Sequence, residues 1–376
     1  MEAAHRRGGY PMRLHFYFGR KFLFYFFGLT FGFFVLLVLI DLIEEAQRFE
    51  AGTVSFGEVL GLTLLKTPTS MYTIMPLIAV LSALALFLAL SRSSELVVTR
   101  SAGRSALVAL WAPFILMIVI GVALITVLNP IVAATSERYQ ALSDEYIKGE
   151  TAVFSISSEG LWLRQGSPAG QTVIHATAAN HDGSSLFNVT LITFAQGGGP
   201  IRRIEAETAR LEDGYWRLFN AKSWPLVAGL NPEVNANEFA TLRVPSTLTR
   251  ENMSDSLGEP SSVAIWDMSE HINALENAGF SARRHKVWFQ MELARPLFLA
   301  SMVLVGAGFT MRHTRFGHTG LMVLIAVLIA FGLYFIRNFA QILGENGQIP
   351  VLWAAWTPPI AGTLLALGII LNMEDG

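Results

Sequence analysis

The chain has 376 residues, of which 52% are hydrophobic and only 15% are charged. Soluble globular proteins carry about 25% charged residues, so this composition is typical of an integral membrane protein. The 27 Lys and Arg residues against 29 Asp and Glu residues give a net charge of −2, which argues against a nucleic-acid-binding surface. The sequence contains no cysteine, which excludes disulfides, thiolate metal sites, iron–sulfur clusters and cysteine nucleophiles.

Six stretches predict transmembrane helices, because a membrane span needs about 20 mostly apolar residues. They lie at Phe16–Ile40, within Gly61–Leu90, within Ala106–Ala133, and at Leu293–Met311, Gly317–Ile336 and Pro350–Leu371. The first stretch exceeds the apolar core of about 7–15 residues in a cleaved signal peptide, so we expect it to be a retained helix.

The distribution of Lys and Arg predicts the orientation, because cytoplasmic loops are enriched in these residues. The basic residues lie before helix 1 or near its start, and in the loops after helices 2 and 4: Arg6, Arg7, Arg13, Arg20 and Lys21; Arg92, Arg100 and Arg104; Arg312 and Arg315. This predicts cytoplasmic termini and a periplasmic segment between helices 3 and 4. Arg283, Arg284 and Lys286 oppose the rule, but long translocated segments are exempt from it.

The segment between helices 3 and 4 alternates apolar and polar residues between Gly- and Asp-containing turns, which predicts β-strands. The strands are expected near Val153–Ser157, Leu161–Arg164, Thr172–Ala178, Leu186–Ala195, Ile201–Leu211, Tyr215–Ala221 and Phe239–Val244. This pattern is typical of a β-sandwich, a jelly roll or a related open barrel. Ile265, Met268, Ile272 and Leu275 then recur at helical spacing and predict a short amphipathic helix that stops near Gly279.

Motifs for catalysis are missing from the sequence. It contains no G-x-x-x-x-G-K-[ST] nucleotide loop, no H-E-x-x-H and no G-x-S-x-G. The scattered histidines, such as His181, His313 and His318, lack metal-ligand spacing. We therefore expect no catalytic residue, no metal site and no cofactor bound by this chain.

The loop at residues 91–105 is the most informative cytoplasmic segment. Its pattern predicts a short helix that begins after a serine cap and ends at Gly103. An apolar patch flanked by charges suits docking into the groove of a partner protein. A loop that only follows the charge rule has the same composition, so the residue pattern leaves both interpretations open. The apolar patch is Leu96, Val97 and Val98, and its charged neighbours are Glu95, Arg100 and Arg104.

Several motifs occur in a fixed order along nearly the whole chain. They are Met75-Pro76-Leu77, Ser94-Glu95-Leu96-Val97 followed by Arg100-Ser101-Ala102-Gly103, Ile156–Arg164, Arg203-Ile204-Glu205-Ala206, Leu211–Trp216, Ala294-Arg295-Pro296-Leu297 and Ala354–Pro358. Together they resemble the LptF/LptG permease family of lipopolysaccharide export, in which the loop motif is the coupling-helix signature. Asp41–Glu45 is more similar to the LptG branch than to the LptF branch.

The resemblance implies a permease subunit of an ATP-driven ABC transporter in the bacterial inner membrane. Such a transporter extracts lipopolysaccharide from the outer leaflet and passes it to a periplasmic bridge toward the outer membrane. The implied fold is an α-helical integral membrane protein with six transmembrane helices, three on each side of an inserted periplasmic β-jellyroll-like domain. The implied domains are residues 1–133 with a coupling helix at about 91–105, residues 134–285 and residues 286–376.

The resemblance also implies partners and roles. The partners are an LptF-like permease in a heterodimer, an LptB-like ATPase dimer that binds ATP and Mg²⁺, LptC, and LptA through the periplasmic domain. Glu95 would pair with a basic residue of the ATPase, and Leu96 and Val97 would fill its groove. The complete implied coupling segment is Ser94, Glu95, Leu96, Val97, Val98, Arg100, Gly103 and Arg104.

A lipid A site needs an apolar wall for acyl chains and a basic outer rim for phosphates. The same apolar stripe would suit bulk lipid, and Lys66 would suit the membrane interface, so these alternatives stay open. Asp41, Glu44 and Glu45 depart from the basic residues common in the family and would repel phosphates unless divalent cations bridge them. The headgroup candidates are Arg48, Lys66 and Arg295, and the acyl-wall candidates are Phe31, Phe34, Leu37 and Ile40.

Two other functions compete with transport by an ABC system. A membrane-anchored periplasmic binding or assembly factor without transport activity would need no docking helix at residues 91–105. An ion-coupled carrier would need buried ionisable residues at the membrane midplane, whereas the centres of helices 3 to 6 contain almost no charge. The sequence therefore favours the ABC permease.

Overall fold

The described part of the chain forms two compact units. The computed structural model describes residues 10–48, 55–101, 106–148, 154–157, 160–167, 170–180, 184–195, 199–226, 231–246, 248, 259–277, 280–311 and 319–374. The first unit combines residues 1–139 and 286–376, and the second unit comprises residues 140–285.

Long helices make up the first unit. They are α1 (Tyr10–Arg48), α2 (Phe56–Arg92), the short α3 (Glu95–Ser101), α4 (Ala106–Ala123) and α5 (Asn129–Lys148), followed after the sheet and the short helix α6 (Met268–Asn277) by α7 (Arg283–Thr310), α8 (Thr319–Glu345) and α9 (Val351–Glu374). Six spans in the described residues are long and apolar enough to cross a membrane, three before the sheet and three after it. Several helices are longer than predicted. In particular, α1 continues beyond Ile40 through an acidic stretch, since Glu is a good helix former.

The third candidate span is continuous because a π-helical segment, Leu124–Leu128, joins α4 to α5. The backbone N–H of Asn129 donates to the carbonyl of Leu124 across this wider turn. Such segments insert one residue into a helix and often occur at functional sites. Here the segment lies directly before the buried Asn129.

The apolar core of the first unit lies around α2 and α7. Gly306 on α7 allows these helices to approach closely, since a Cβ at this position would lie 2.8 Å from the Cβ of Ala83 and 3.0 Å from the carbonyl oxygen of Val80. By contrast, only 6% of the most apolar window of α1 is buried, compared with 61% for α2 and 83% for α7. Most of α1 is therefore open to lipid or to another chain.

The second unit contains a seven-stranded antiparallel sheet with the order β1-β2-β3-β4-β5-β6-β7. Residues Leu161, Ala176, Val189, Ala206 and Ala221 pair in register across five strands and form a buried apolar row. The strands are β1 (Phe154–Ser157), β2 (Gly160–Ser167), β3 (Gly170–Ala179), β4 (Ser185–Ala195), β5 (Pro200–Glu212), β6 (Tyr215–Pro225) and β7 (Asn237–Pro245).

The strand order differs from the jelly roll named in the sequence analysis. A jelly roll contains Greek keys, in which strands distant in sequence become neighbours. The described strands pair only with their neighbours in sequence, so their topology is an up-and-down meander. Short local patterns located the individual strands but carry no information on which strands pair.

A short helix, α6 (Met268–Asn277), follows the sheet where the apolar spacing predicts it. Its buried residues are Met268, Ile272 and Leu275, which share one face. His271 on this helix lies against His285 at the start of α7, with ring centroids 5.0 Å apart. The predicted stop at Gly279 lies outside the described residues.

Candidate functional site

The coupling segment begins with a sharp turn between α2 and α3. Ser94 has a φ of 59°, in the left-handed region that non-glycine residues rarely adopt, and its carbonyl accepts the backbone N–H of Val98. This turn starts α3 at Glu95, so the predicted short helix is present over Glu95–Ser101. Its predicted end at Gly103, together with Arg104, lies outside the described residues, as do the side chains of Val97 and Arg100.

The carboxylate of Glu95 binds donors within its own chain. Lys21 Nζ on α1 lies 2.8 Å from Oε1 and 3.1 Å from Oε2 of Glu95. The hydroxyls of Tyr17 and Ser93 donate to the same carboxylate, each at 2.9 Å. Partial burial raises the pKa of Glu95, but the hydrogen bonds from Lys21, Ser93 and Tyr17 and the charge of Lys21 outweigh it, so the pKa lies below its usual range. The expected pairing with an ATPase would have to compete with these contacts.

Leu96 corrects the expectation that it fills a groove of the partner protein. Its side chain is only 5% exposed and belongs to the core of its own unit, whereas the side chain of Val98 is 66% exposed. Side chains two residues apart on an α-helix are rotated by about 200° about the helix axis, so Leu96 and Val98 cannot both face the core. Among the side chains of α3 that the structure describes, Val98 is therefore the exposed apolar one.

Two of the three headgroup candidates belong to an ion-pair network at the end of α1. Lys66 Nζ lies 2.9 Å from a carboxylate oxygen of Glu44 and 3.0 Å from Oε1 of Glu45. Arg48 donates to the hydroxyl of Tyr139 at 2.7 Å, and this hydroxyl donates to Glu45 at 2.7 Å. The acidic residues that seemed to disfavour phosphate are thus paired with both cations.

Hydroxyl groups bind the third acidic residue of this region. Asp41 is buried and accepts hydrogen bonds from Thr67 at 3.5 Å and Ser70 at 3.4 Å. No group of three or more acidic or histidine side chains is arranged to hold a metal ion anywhere in the described residues. Hydroxyl and ammonium groups of the chain therefore bind all three of these carboxylates.

Arg295, the third headgroup candidate, is an internal residue, which corrects that expectation. It is buried and forms an ion pair with the buried Glu292, which also accepts a hydrogen bond from the hydroxyl of Tyr72. Its guanidinium lies 3.9 Å from the centroid of the Tyr72 ring and donates to the Tyr72 carbonyl at 3.3 Å. The spacing of three residues between Glu292 and Arg295 is the sequence signal that could have revealed the pair.

Arg337 comes directly after the predicted span Gly317–Ile336 in the sequence. It lies within α8, where its guanidinium is 5.4 Å from the ring centroid of Phe298. The Nη1 atom of Arg337 lies 3.5 Å from Oδ1 of Asn338. Charge within a candidate span is therefore greater than the sequence patterns suggested.

The four acyl-wall candidates divide into two groups. Phe31, Phe34 and Ile40 are exposed on α1, whereas Leu37 packs against the core. A separate apolar cavity of about 180 Å³, which the sequence analysis missed, lies between α2, α7 and α8. Its lining residues are Thr73, Ile74, Pro76, Leu77, Val80, Met302, Val327, Ala330, Phe331 and Tyr334.

Comparison with known proteins extends over both units. The family described as "Lipopolysaccharide export system permease LptF/LptG" matches residues 16–372. The chain is 22% identical over 355 residues to the lipopolysaccharide export system permease protein LptG of Haemophilus influenzae, covering 90% of this chain and 93% of that protein. The match includes the six candidate spans, the coupling segment and the sheet. The chain therefore belongs to the LptF/LptG family of lipopolysaccharide export permeases.

Proposed function

We propose that this permease is a subunit of an ATP-driven ABC transporter that extracts lipopolysaccharide from the outer leaflet of the inner membrane. The observation that carries the proposal is α3, a short helix that joins two candidate spans and is attached to its own unit through Leu96 and Glu95. A helix fixed in this way can transmit force from a bound partner. An LptB-like ATPase dimer would bind ATP and Mg²⁺ and dock at α3.

The largely unburied α1 suits a second permease. Its exposed side chains include Phe24, Phe27 and Phe31, which form an apolar surface suited to an LptF-like subunit or to acyl chains. Two such subunits would enclose a lipid cavity that narrows when the ATPase moves α3. Arg48, whose side chain is 45% exposed, and Lys66 remain the headgroup candidates, and they would approach a phosphate while retaining their carboxylate partners.

The distribution of Lys and Arg supports a multi-pass topology with both termini in the cytoplasm and the sheet unit in the periplasm. In this orientation α3 meets the ATPase, and the sheet meets LptC and LptA. Each edge strand of the described sheet, β1 and β7, pairs with a single neighbour and so offers backbone groups for strand addition. Lipopolysaccharide would leave the membrane along this sheet toward the periplasmic bridge.

The test is co-purification from cells that contain the native partners. Val98→Asp places a charge on the exposed face of α3 and should release the ATPase from the detergent-solubilised complex. The matched control is Val234→Asp on the sheet unit, where the side chain is also exposed, and this variant should retain the ATPase. A wild-type complex with no ATP-hydrolysing subunit and no bound lipopolysaccharide would instead support a passive anchor or assembly factor.

A further inference from the structure

The contact between α3 and α1 is built from three donors that converge on one carboxylate. Lys21 touches both oxygens of Glu95, while the hydroxyls of Tyr17 and Ser93 take one oxygen each. The Lys21 ammonium also lies 4.6 Å from the centroid of the Tyr17 ring. Tyr17 and Lys21 are four residues apart on α1, so they share a helix face.

Apolar packing surrounds this polar contact and fixes its position. Phe18 and Phe22, which follow Tyr17 and Lys21 in sequence, are buried in the same core cluster as Leu96. Tyr17, Lys21 and Glu95 therefore each have a buried apolar neighbour in sequence. The side chains of Lys21 and Glu95 are only 33% and 29% exposed, so water competes less with this ion pair than with a surface pair.

We propose that Lys21 and Tyr17 are positioning residues that lock α3 to α1, so that a force on α3 displaces α1 directly. The inference rests on the proposed function. It assigns Glu95 to this internal lock, and it leaves the exposed Val98 as the side chain that meets the ATP-hydrolysing partner. Only 6% of the most apolar window of α1 is buried, so a fixed attachment at this end gives the partner a direct hold on the helix.

The first test measures lipopolysaccharide released per ATP hydrolysed by the complete complex in proteoliposomes. Lys21→Met should retain the bound ATPase but lower this ratio about three- to fivefold, since the ion pair is lost. Lys21→Arg should restore most of the ratio, and Arg20→Met, which removes the neighbouring exposed charge, should leave it unchanged. An unchanged ratio in Lys21→Met would overturn the lock, as would release of the ATPase by Glu95→Gln but not by Lys21→Met.

The second test uses the absence of cysteine from the natural sequence. Tyr17→Cys combined with Glu95→Cys removes the polar contact, and a short thiol-specific crosslinker then replaces it with a covalent one. If α3 and α1 move together, crosslinking should restore lipid release; if they must separate during the cycle, it should stop the residual release and refute the lock. A wild-type complex that releases no lipid with ATP would refute the proposed function itself, so the two failures are distinguishable.

Discussion

Arg295 provides the sharpest test, because the structure and the sequence assign it different roles. As an internal ion-pair partner it neutralises Glu292, whose side chain is 1% exposed, whereas as a headgroup residue it would contact lipid. Removing one partner of a buried ion pair leaves an uncompensated charge and typically costs about 3–5 kcal/mol. We therefore expect Arg295→Met to destabilise the helical unit by about this amount.

A double-mutant cycle separates the ion pair from other effects of the substitution. Glu292→Gln combined with Arg295→Met removes both charges, so we expect the double variant to be more stable than Arg295→Met alone. The assay is unfolding of the detergent-solubilised chain, followed in parallel with crosslinking to lipopolysaccharide. Additive losses in the cycle, or unchanged stability of Arg295→Met with weaker lipid crosslinking, would refute the internal role.

Three further substitutions test the packing and the charge states. Leu96→Ala should lower the free energy of unfolding by about 2–5 kcal/mol, because this side chain is buried. Val98→Ala should change it by less than about 0.5 kcal/mol, because this side chain is exposed. Thermal unfolding of both variants tests which side of α3 faces the core. Gly306→Leu should lower the free energy of unfolding by about 1–3 kcal/mol or more, since a Cβ there would lie 2.8 Å from an alanine Cβ of α2. The control is Gly28→Leu, because a Cβ at Gly28 would meet no atom within 4 Å. An equal loss of stability in the control would contradict this account. Burial lowers the pKa of His271, so the unfolded chain binds more protons and stability should fall as the pH drops below about 6.5. His271→Gln cannot titrate and should weaken this pH dependence of unfolding; an identical pH profile would exclude the histidine as its source.

Hydropathy predicts the candidate spans well, because each span is a property of consecutive residues. The ends of the spans depend on contacts that hydropathy does not contain. For example, α1 extends to Arg48, and near this end Glu45 pairs with Lys66 and Tyr139, which are 21 and 94 positions away in sequence. Such partners become neighbours only when the helices pack.

The candidate sites show the same division between local and distant information. The helix at Glu95–Ser101 follows from local capping and spacing, but the burial of Leu96 depends on core residues that are distant in sequence. Likewise, Arg295 is a basic residue near the start of a span, which suggests a headgroup contact. Its partner Glu292 is local, but Tyr72 is 220 positions from Glu292 and completes the cluster only in the folded chain.

The π-helical turn at Leu124–Leu128 determines how the rest of this span is rotated about the helix axis. If the same residues formed a regular α-helix instead, the helix that follows this turn would be rotated by about 100°. Tyr139 would then swing away from Glu45 and Arg48, which it bridges in the native fold. The π-helical conformation of this turn therefore determines whether the Arg48 end of α1 keeps its hydrogen-bonded partner on the third span.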